Sequence, residues 1–376
     1  LLWGPRDECP DENGMRLRDS QCGLFATGKV LRRFGIPFTY LKNCNLEDEC
    51  FAEGIDRFLR VCNVVKAFRN TRVLQISTRP FDFWSTMCNE GELLEKFGIQ
   101  LSPIPMPELT QAMKDVKENS PEEIKEVTDY CREKMCIKVT PEQLDNVAAL
   151  KIAMTRLGKK YGCNCGAIQC WNALQDEIGI MPCAANALCN DEGFPIACET
   201  DIHGTITSVL VEAAAMGETR SFFADWTVRH PYNDNAELLQ HCGPWPISIA
   251  KEKPTIDTPV AFDCSGSLMA QAKDGEHISL VRFDGDNGEY SLLLGNAKTV
   301  DGPYTKGTYM WVEVENLDRL EDKLVQGPYI HHCVGVHQDV VPVLYEACKY
   351  IGVTPDLYDP IEEKVKAIIR GEKVEK

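Results

Sequence analysis

The chain has 376 residues, enough for two or three domains, and its 44% apolar content supports a full core. Forty basic against 57 acidic side chains give a formal net charge of −17, which argues against a nucleic-acid or anionic-membrane surface. No apolar run reaches the roughly 18 residues of a membrane helix, so the expectation is a soluble, cytoplasmic protein with neither partner.

Leu1–Trp3 reads as a strand already inside a fold, with no initiator Met, so the start of the protein is expected to be missing. Asp19 is placed to cap a helix over Ser20–Phe34, with Leu24, Val30 and Leu31 inward. A strand at Ile36–Leu41 and a helix over Glu47–Phe68 complete the remainder of an N-terminal α/β domain, 1–69. Thr71–Ser77 starts a new strand, followed by Glu90–Phe97 (helix), Ile99–Ile104 (strand) and Pro107–Asn119 (helix). Ser120-Pro-Glu-Glu and Thr140-Pro-Glu-Gln carry N-cap signals with Pro in the first turn, which predicts a helical hairpin over 119–161. Strand Ala167–Cys170 and helices Trp171–Glu177 and Cys183–Leu188 lead into the most informative stretch.

That stretch is 194–231. Pro195–Cys198 reads as a buried strand that delivers Glu199 and Asp201 at its end. Gly204–Met216 has helical spacing, with Ile206, Val209, Leu210 and Ala213 on one face. Ser221–Ala224 reads as a second strand and delivers Asp225. Strand, helix, strand predicts a parallel βαβ unit with Glu199 and Asp225 at one C-terminal sheet edge, where α/β sheets bind ligands. Two converging acids suit a metal or general acid/base site. A lone acid at a strand end is more often a cap or ion-pair partner, and Asp201 is placed to cap the following helix. The predicted second domain is therefore 70–235, an α/β unit with a mainly parallel sheet.

After Pro231 the pattern changes. Short β-prone runs (Val260–Phe262, Ile278–Phe283, Tyr290–Leu294, Tyr309–Val314) are separated by turns such as Asp284-Gly-Asp-Asn-Gly288, which predicts an antiparallel sheet or barrel over 236–376. Helices at Val340–Ile351 and Ile361–Arg370 close the chain. The fold class is α/β: Rossmann-like domains followed by a β-rich C-terminal domain.

The 18 cysteines fall inside apolar segments (Cys170, Cys183, Cys198, Cys264), as small buried thiols of a reducing compartment do. Cys163-Asn-Cys165 with Cys170 matches neither zinc nor iron–sulfur spacing. Among seven histidines, His331-His332 stands out; neighbours in a strand point to opposite faces, so one of them is expected at any given site. His241 lies in Leu238-Leu-Gln-His-Cys-Gly-Pro244. Any single histidine is more often a hydrogen-bonded structural residue than a ligand. No nucleotide-binding glycine loop and no G-x-S-x-G elbow occurs, which disfavours nucleotide chemistry and serine hydrolysis.

Several segments carry a family resemblance: Ala167-Ile-Gln-Cys-Trp171, Met181-Pro-Cys183, the run from Leu188 through Phe194-Pro-Ile-Ala-Cys-Glu199, Phe223-Ala-Asp225 and Gly327-Pro-Tyr-Ile-His-His332. They resemble the L-fucose isomerase family, within the L-fucose/L-arabinose isomerase superfamily. Leu2-Trp-Gly-Pro-Arg-Asp and Leu17-Arg-Asp-Ser-Gln-Cys22 look like its fucose isomerase-like branch. The resemblance covers most of the chain and is strongest over 165–245 and 325–340. It departs in a shorter chain and in Tyr329-Ile-His-His, which replaces the family's Asn-His context.

The resemblance implies a metal-dependent aldose–ketose isomerase of a pentose or 6-deoxyhexose, working through a cis-enediol. It implies Mn2+, with Mg2+ or another divalent cation as substitutes, held by Glu199, Asp225 and His332, with His241 as a further ligand. Glu199 and Asp225 are then the catalytic carboxylates. It also implies a homo-oligomer, trimeric or hexameric. Trp171 and Trp226 are candidates to pack on the sugar's apolar face, although such side chains more often serve in core packing. Two other classes stay open: a non-catalytic sugar-binding or regulatory protein, and an iron enzyme using His241, His332 and one carboxylate as a facial triad.

Overall fold

The structure is a computed structural model that describes residues 1–259 and 263–374. The predicted run Val260–Phe262 lies outside the described residues.

A four-stranded parallel sheet has the spatial order Gln100–Ile104, Arg72–Ile76, Cys165–Ile168, Ile196–Ala197. Its strands are short; Cys165–Ile168 and Ile196–Ala197 are buried on both faces, as parallel strands between helical layers are, whereas the edge strand Gln100–Ile104 is largely half-buried or exposed. Helices Met106–Asn119, Pro121–Lys134 and Pro141–Tyr161 cover one face. Thr140 closes a full capping box with Gln143 at the start of the last of these. Ser120 does not cap its helix; its hydroxyl instead accepts from Arg156.

The second sheet contains a closed barrel. Six antiparallel strands follow one another around it: Glu289–Val300, Ile278–Asp286, His332–Val336, Phe222–His230, Asn233–His241 and Thr308–Glu313. Pairing of Lys298–Val300 with Trp311–Glu313 shuts the ring. Closure removes the exposed edges that an open sheet would present. Alternation sorts the side chains: Phe222, Ala224 and Trp226 pack with Leu239, Leu293 and Met310, whereas Phe223 packs with Val281, Val334 and Val336 against helices. The α/β fold class with a β-rich, barrel-like C-terminal part is borne out.

Several local expectations are corrected. The parallel βαβ unit is absent: Ile196–Ala197 lies in the parallel sheet, whereas Phe222–His230 is an antiparallel barrel strand. Helix Ile202–Ala214 still joins them, and it is buried throughout except for Glu212, because both sheets pack on it. An all-round apolar helix belongs between layers, not on a surface. Near the start, Asp19 makes no capping bond; the Asp7 carboxylate takes the N–H groups of Ser20 and Gln21 instead. Leu1–Trp3 and Ile36–Leu41 meet in a single bridge, Leu2 to Tyr40, and Val30 is half exposed.

Candidate active site

Each sheet supplies half of one buried cluster. The chain leaves the Ile196–Ala197 strand and turns through Glu199 and Thr200, both in the left-handed region at φ 59° and 53°. Non-glycine residues hold such angles at a cost of about 1–3 kcal/mol, which the surroundings must impose. Here Thr200 N–H donates to Ile168 O, and the Thr200 hydroxyl donates to Thr78 O at 3.0 Å. The turn aims the Glu199 carboxylate at the barrel.

The barrel answers with Asp225 and His332, which stand directly opposite each other in the antiparallel register. Cross-strand partners share a face and lie about 5 Å apart at Cβ. His332 Nε2 lies 3.0 Å from Glu199 Oε2 and 3.6 Å from Asp225 Oδ1. His241, at the end of the next strand, brings its Nε2 to 3.9 Å from the same Asp225 oxygen. All four sequence candidates therefore converge. His331 joins them, contrary to the expectation of opposite faces. It precedes the first paired residue of its strand, so alternation does not govern it, and its ring centroid lies 4.4 Å from that of His332. Donor atoms of Asp225, His331 and His332 all fall within 4.8 Å of one another.

Glu199 Oε2, Asp225 Oδ1, His241 Nε2 and His332 Nε2 are buried, and none makes an aligned hydrogen bond. One orphaned polar atom costs about 1–3 kcal/mol, and four linked by the distances above make this neighbourhood a candidate for holding a cation. The donor set, two carboxylates with imidazole, suits a hard or borderline divalent ion.

A layer behind this cluster fixes it. Asp201 Oδ2 lies 2.8 Å from His332 Nδ1, so a proton held on Nδ1 leaves Nε2 free as a ligand. Asp201 Oδ1 accepts the Gly204 N–H, confirming the helix cap. Arg282 grips the same carboxylate through both Nη1 and Nη2, while its Nε donates to Asp284 at 3.0 Å. Asp284 in turn meets His203 Nδ1 at 3.0 Å. Arg282 was not singled out in the sequence. The available signal was a guanidinium inside the apolar run Ile278–Phe283, and that residue is 1% exposed.

The electrostatics are consistent with this layering. Burial favours neutral His332, but Asp201, Glu199 and Asp225 outweigh it and lift its pKa to about 10. Burial likewise opposes ionised Glu199, yet His332, His241 and His331 hold its pKa below the ordinary value. A cation entering here therefore displaces a proton from His332. Phe83 lies over the cluster, stacked on His332 at 6.1 Å and edge-on to Trp171 at 5.0 Å. Trp226 belongs to the barrel core. Among the described residues, Cys163, Cys165 and Cys170 form no metal-binding group.

The site thus lies where a parallel sheet abuts a closed barrel, with carboxylates and histidines gathered at the junction. Residues 1–69 match the family described as "Fucose/sulfoquinovose isomerase, N-terminal domain". The chain is similar to the sulfoquinovose isomerases of Priestia aryabhattai and Priestia megaterium, each 25% identical over 365 residues, 95% of this chain and 79% of the relative. It is also similar to that of Alkalicoccus urumqiensis, 23% identical over 351 residues, 92% of this chain and 77% of the relative. The similarity to these isomerases therefore runs along most of the chain, and the family-model match lies within its first 69 residues.

Proposed function

We propose that the protein is a divalent-metal-dependent aldose–ketose isomerase. The observation that carries this reading is the convergence of four buried donor atoms, none with an aligned hydrogen bond, on Glu199, Asp225, His241 and His332. These residues would hold the ion, manganese by preference, with magnesium or another divalent cation as a substitute. Bound there, it would supply Lewis-acid polarisation of the sugar's carbonyl and hydroxyl oxygens.

The chain's own groups do the rest. Glu199 and Asp225 share the duties of ligand and proton shuttle between C1 and C2 through a cis-enediol. A positioned base of this kind contributes on the order of 10²–10⁴-fold. Asp201, clamped by Arg282, keeps His332 in one tautomer and orientation. Phe83 and Trp171 shield the centre from water.

The substrate class is a pentose or 6-deoxyhexose of the L-fucose/arabinose type, and the relatives' name adds sulfoquinovose. A homo-oligomer, trimeric or hexameric, and a cytoplasmic location complete the reading. No helix among the described residues is long and apolar enough to cross a membrane. The test is turnover of L-fucose, D-arabinose, L-arabinose, L-rhamnose, D-ribose and sulfoquinovose by full-length protein, with manganese present. Ketose formation from one of them supports the reading and identifies the sugar. No ketose from any, with manganese bound stoichiometrically, overturns it in favour of a binding protein.

A further inference from the structure

A second group of metal-ligating side chains lies away from this centre. Donor atoms of Cys44, Asp48 and Cys50 all fall within 4.8 Å of one another. Cys44 is 3% exposed, and Asp48 and Cys50 are half-buried. Both cysteines are free thiols.

The backbone around them is built. Asp48 is the N-cap residue of helix Glu49–Arg69, where an Asp side chain ordinarily takes N–H groups of the first turn for about 1 kcal/mol. Here it makes no such bond; Oδ2 accepts the Asn45 N–H at 2.7 Å, and the carboxylate stays with the thiols. Trp3 donates its indole N–H to Cys44 O at 3.2 Å and packs on Phe51 with ring centroids 4.7 Å apart. Gly371, in the turn after helix Glu362–Ile369, approaches so closely that a Cβ there would lie 3.2 Å from Cys50 Cβ. Three distant parts of the chain therefore meet at this triad.

Two thiolates and a carboxylate form a donor set for a borderline-soft cation, not for manganese or magnesium, which prefer oxygen. Zinc–sulfur bonds of about 2.3 Å at tetrahedral angles place two sulfurs roughly 3.8 Å apart, within the observed limit. The helix N-terminus stabilises the excess negative charge of such a complex. Burial, then contact with Cys50, pushes the Cys44 thiol up to about 11.

We propose that Cys44, Asp48 and Cys50 bind a zinc-class divalent ion with one position left for water, fastening the N-terminal segment to the C-terminal turn. The test is Co2+ titration of the full chain, read by thiolate-to-cobalt charge-transfer absorption, which an oxygen/nitrogen site does not give. The expected result is a one-equivalent band that is displaced by Zn2+, lost in Cys50→Ser and retained in Glu199→Gln. No band, a band surviving in both Cys44→Ser and Cys50→Ser, or a Cys44–Cys50 disulfide in peptides from protein purified without reductant overturns the proposal. Should the serine variants fail to fold, alkylation of the wild-type chain decides. Zn2+ should slow labelling of Cys50 at least tenfold while the exposed Cys9, Cys22 and Cys62 label as before; equal labelling of Cys50 overturns it.

Discussion

Asp201 is the residue on which the site's rigidity rests, because one buried carboxylate serves a histidine, a helix N-terminus and an arginine. Asp201→Asn keeps the shape and removes the charge. Removing one of the two carboxylates that pair with buried Arg282, and leaving Asp284 as its counter-charge, should cost about 3–5 kcal/mol in urea unfolding. Loosening His332 should weaken manganese binding 10–100-fold. A manganese Kd equal to that of the wild type would show that His332 is oriented by other contacts. Glu237 makes a different case. Burial, reinforced by Glu321, raises its carboxyl to about 7, and Oε2 has no hydrogen-bond partner. A raised carboxyl favours the proton in the folded state, so stability falls as pH climbs from the unfolded value near 4.5 through 7. Glu237→Gln should therefore leave stability unchanged at pH 4.5 and raise it by about 1–3 kcal/mol at pH 8. Thermal melts at the two pH values check this, and an equal shift at both would contradict it.

Among the elements, strand His332–Val336 carries the most consequence. It is buried along its whole length and sets His332 opposite Asp225 by register. A one-residue slip would turn His332 away from the site. Gly335 permits the close approach of Phe222: a Cβ there would lie 2.1 Å from the Phe222 ring. Gly335→Ala should destabilise by about 1–3 kcal/mol and shift Asp225 against His332, so turnover should fall together with Tm. Wild-type stability and turnover would show that the barrel absorbs the methyl group. The residues announce these strands well and their partners poorly. The apolar run after Pro195 marks Glu199 as a strand-end acid, and Asp201 reads as a cap. The apolar run Ser221–Ala224 marks a strand, but its pairing with the distant His332–Val336 leaves no local trace. Asp225 was thus placed at the site through a parallel unit that does not exist. Arg282 was missed because its partner Asp201 lies 81 positions away.

The whole molecule is two sheets meeting at one buried cluster. The turn after Ala197 supplies one carboxylate, and adjoining barrel strands supply the other and the histidines. The change of pattern after Pro231 announced a β-rich half, but Phe222–His230, read with the parallel half, already belongs to the barrel. The histidines entered through family resemblance, because spacing alone does not distinguish a ligand from a structural histidine. The proposed function requires this junction to be one metal-dependent isomerase centre. The most direct measurement is ketose formation by wild-type, Glu199→Gln and His332→Gln proteins after chelation and again after manganese is restored. Chelation should abolish turnover in the wild type, and manganese should restore it. Glu199→Gln should lose on the order of 10²–10⁴-fold, and His332→Gln should need a much higher manganese concentration. Turnover that survives chelation, or that neither substitution reduces, would contradict it.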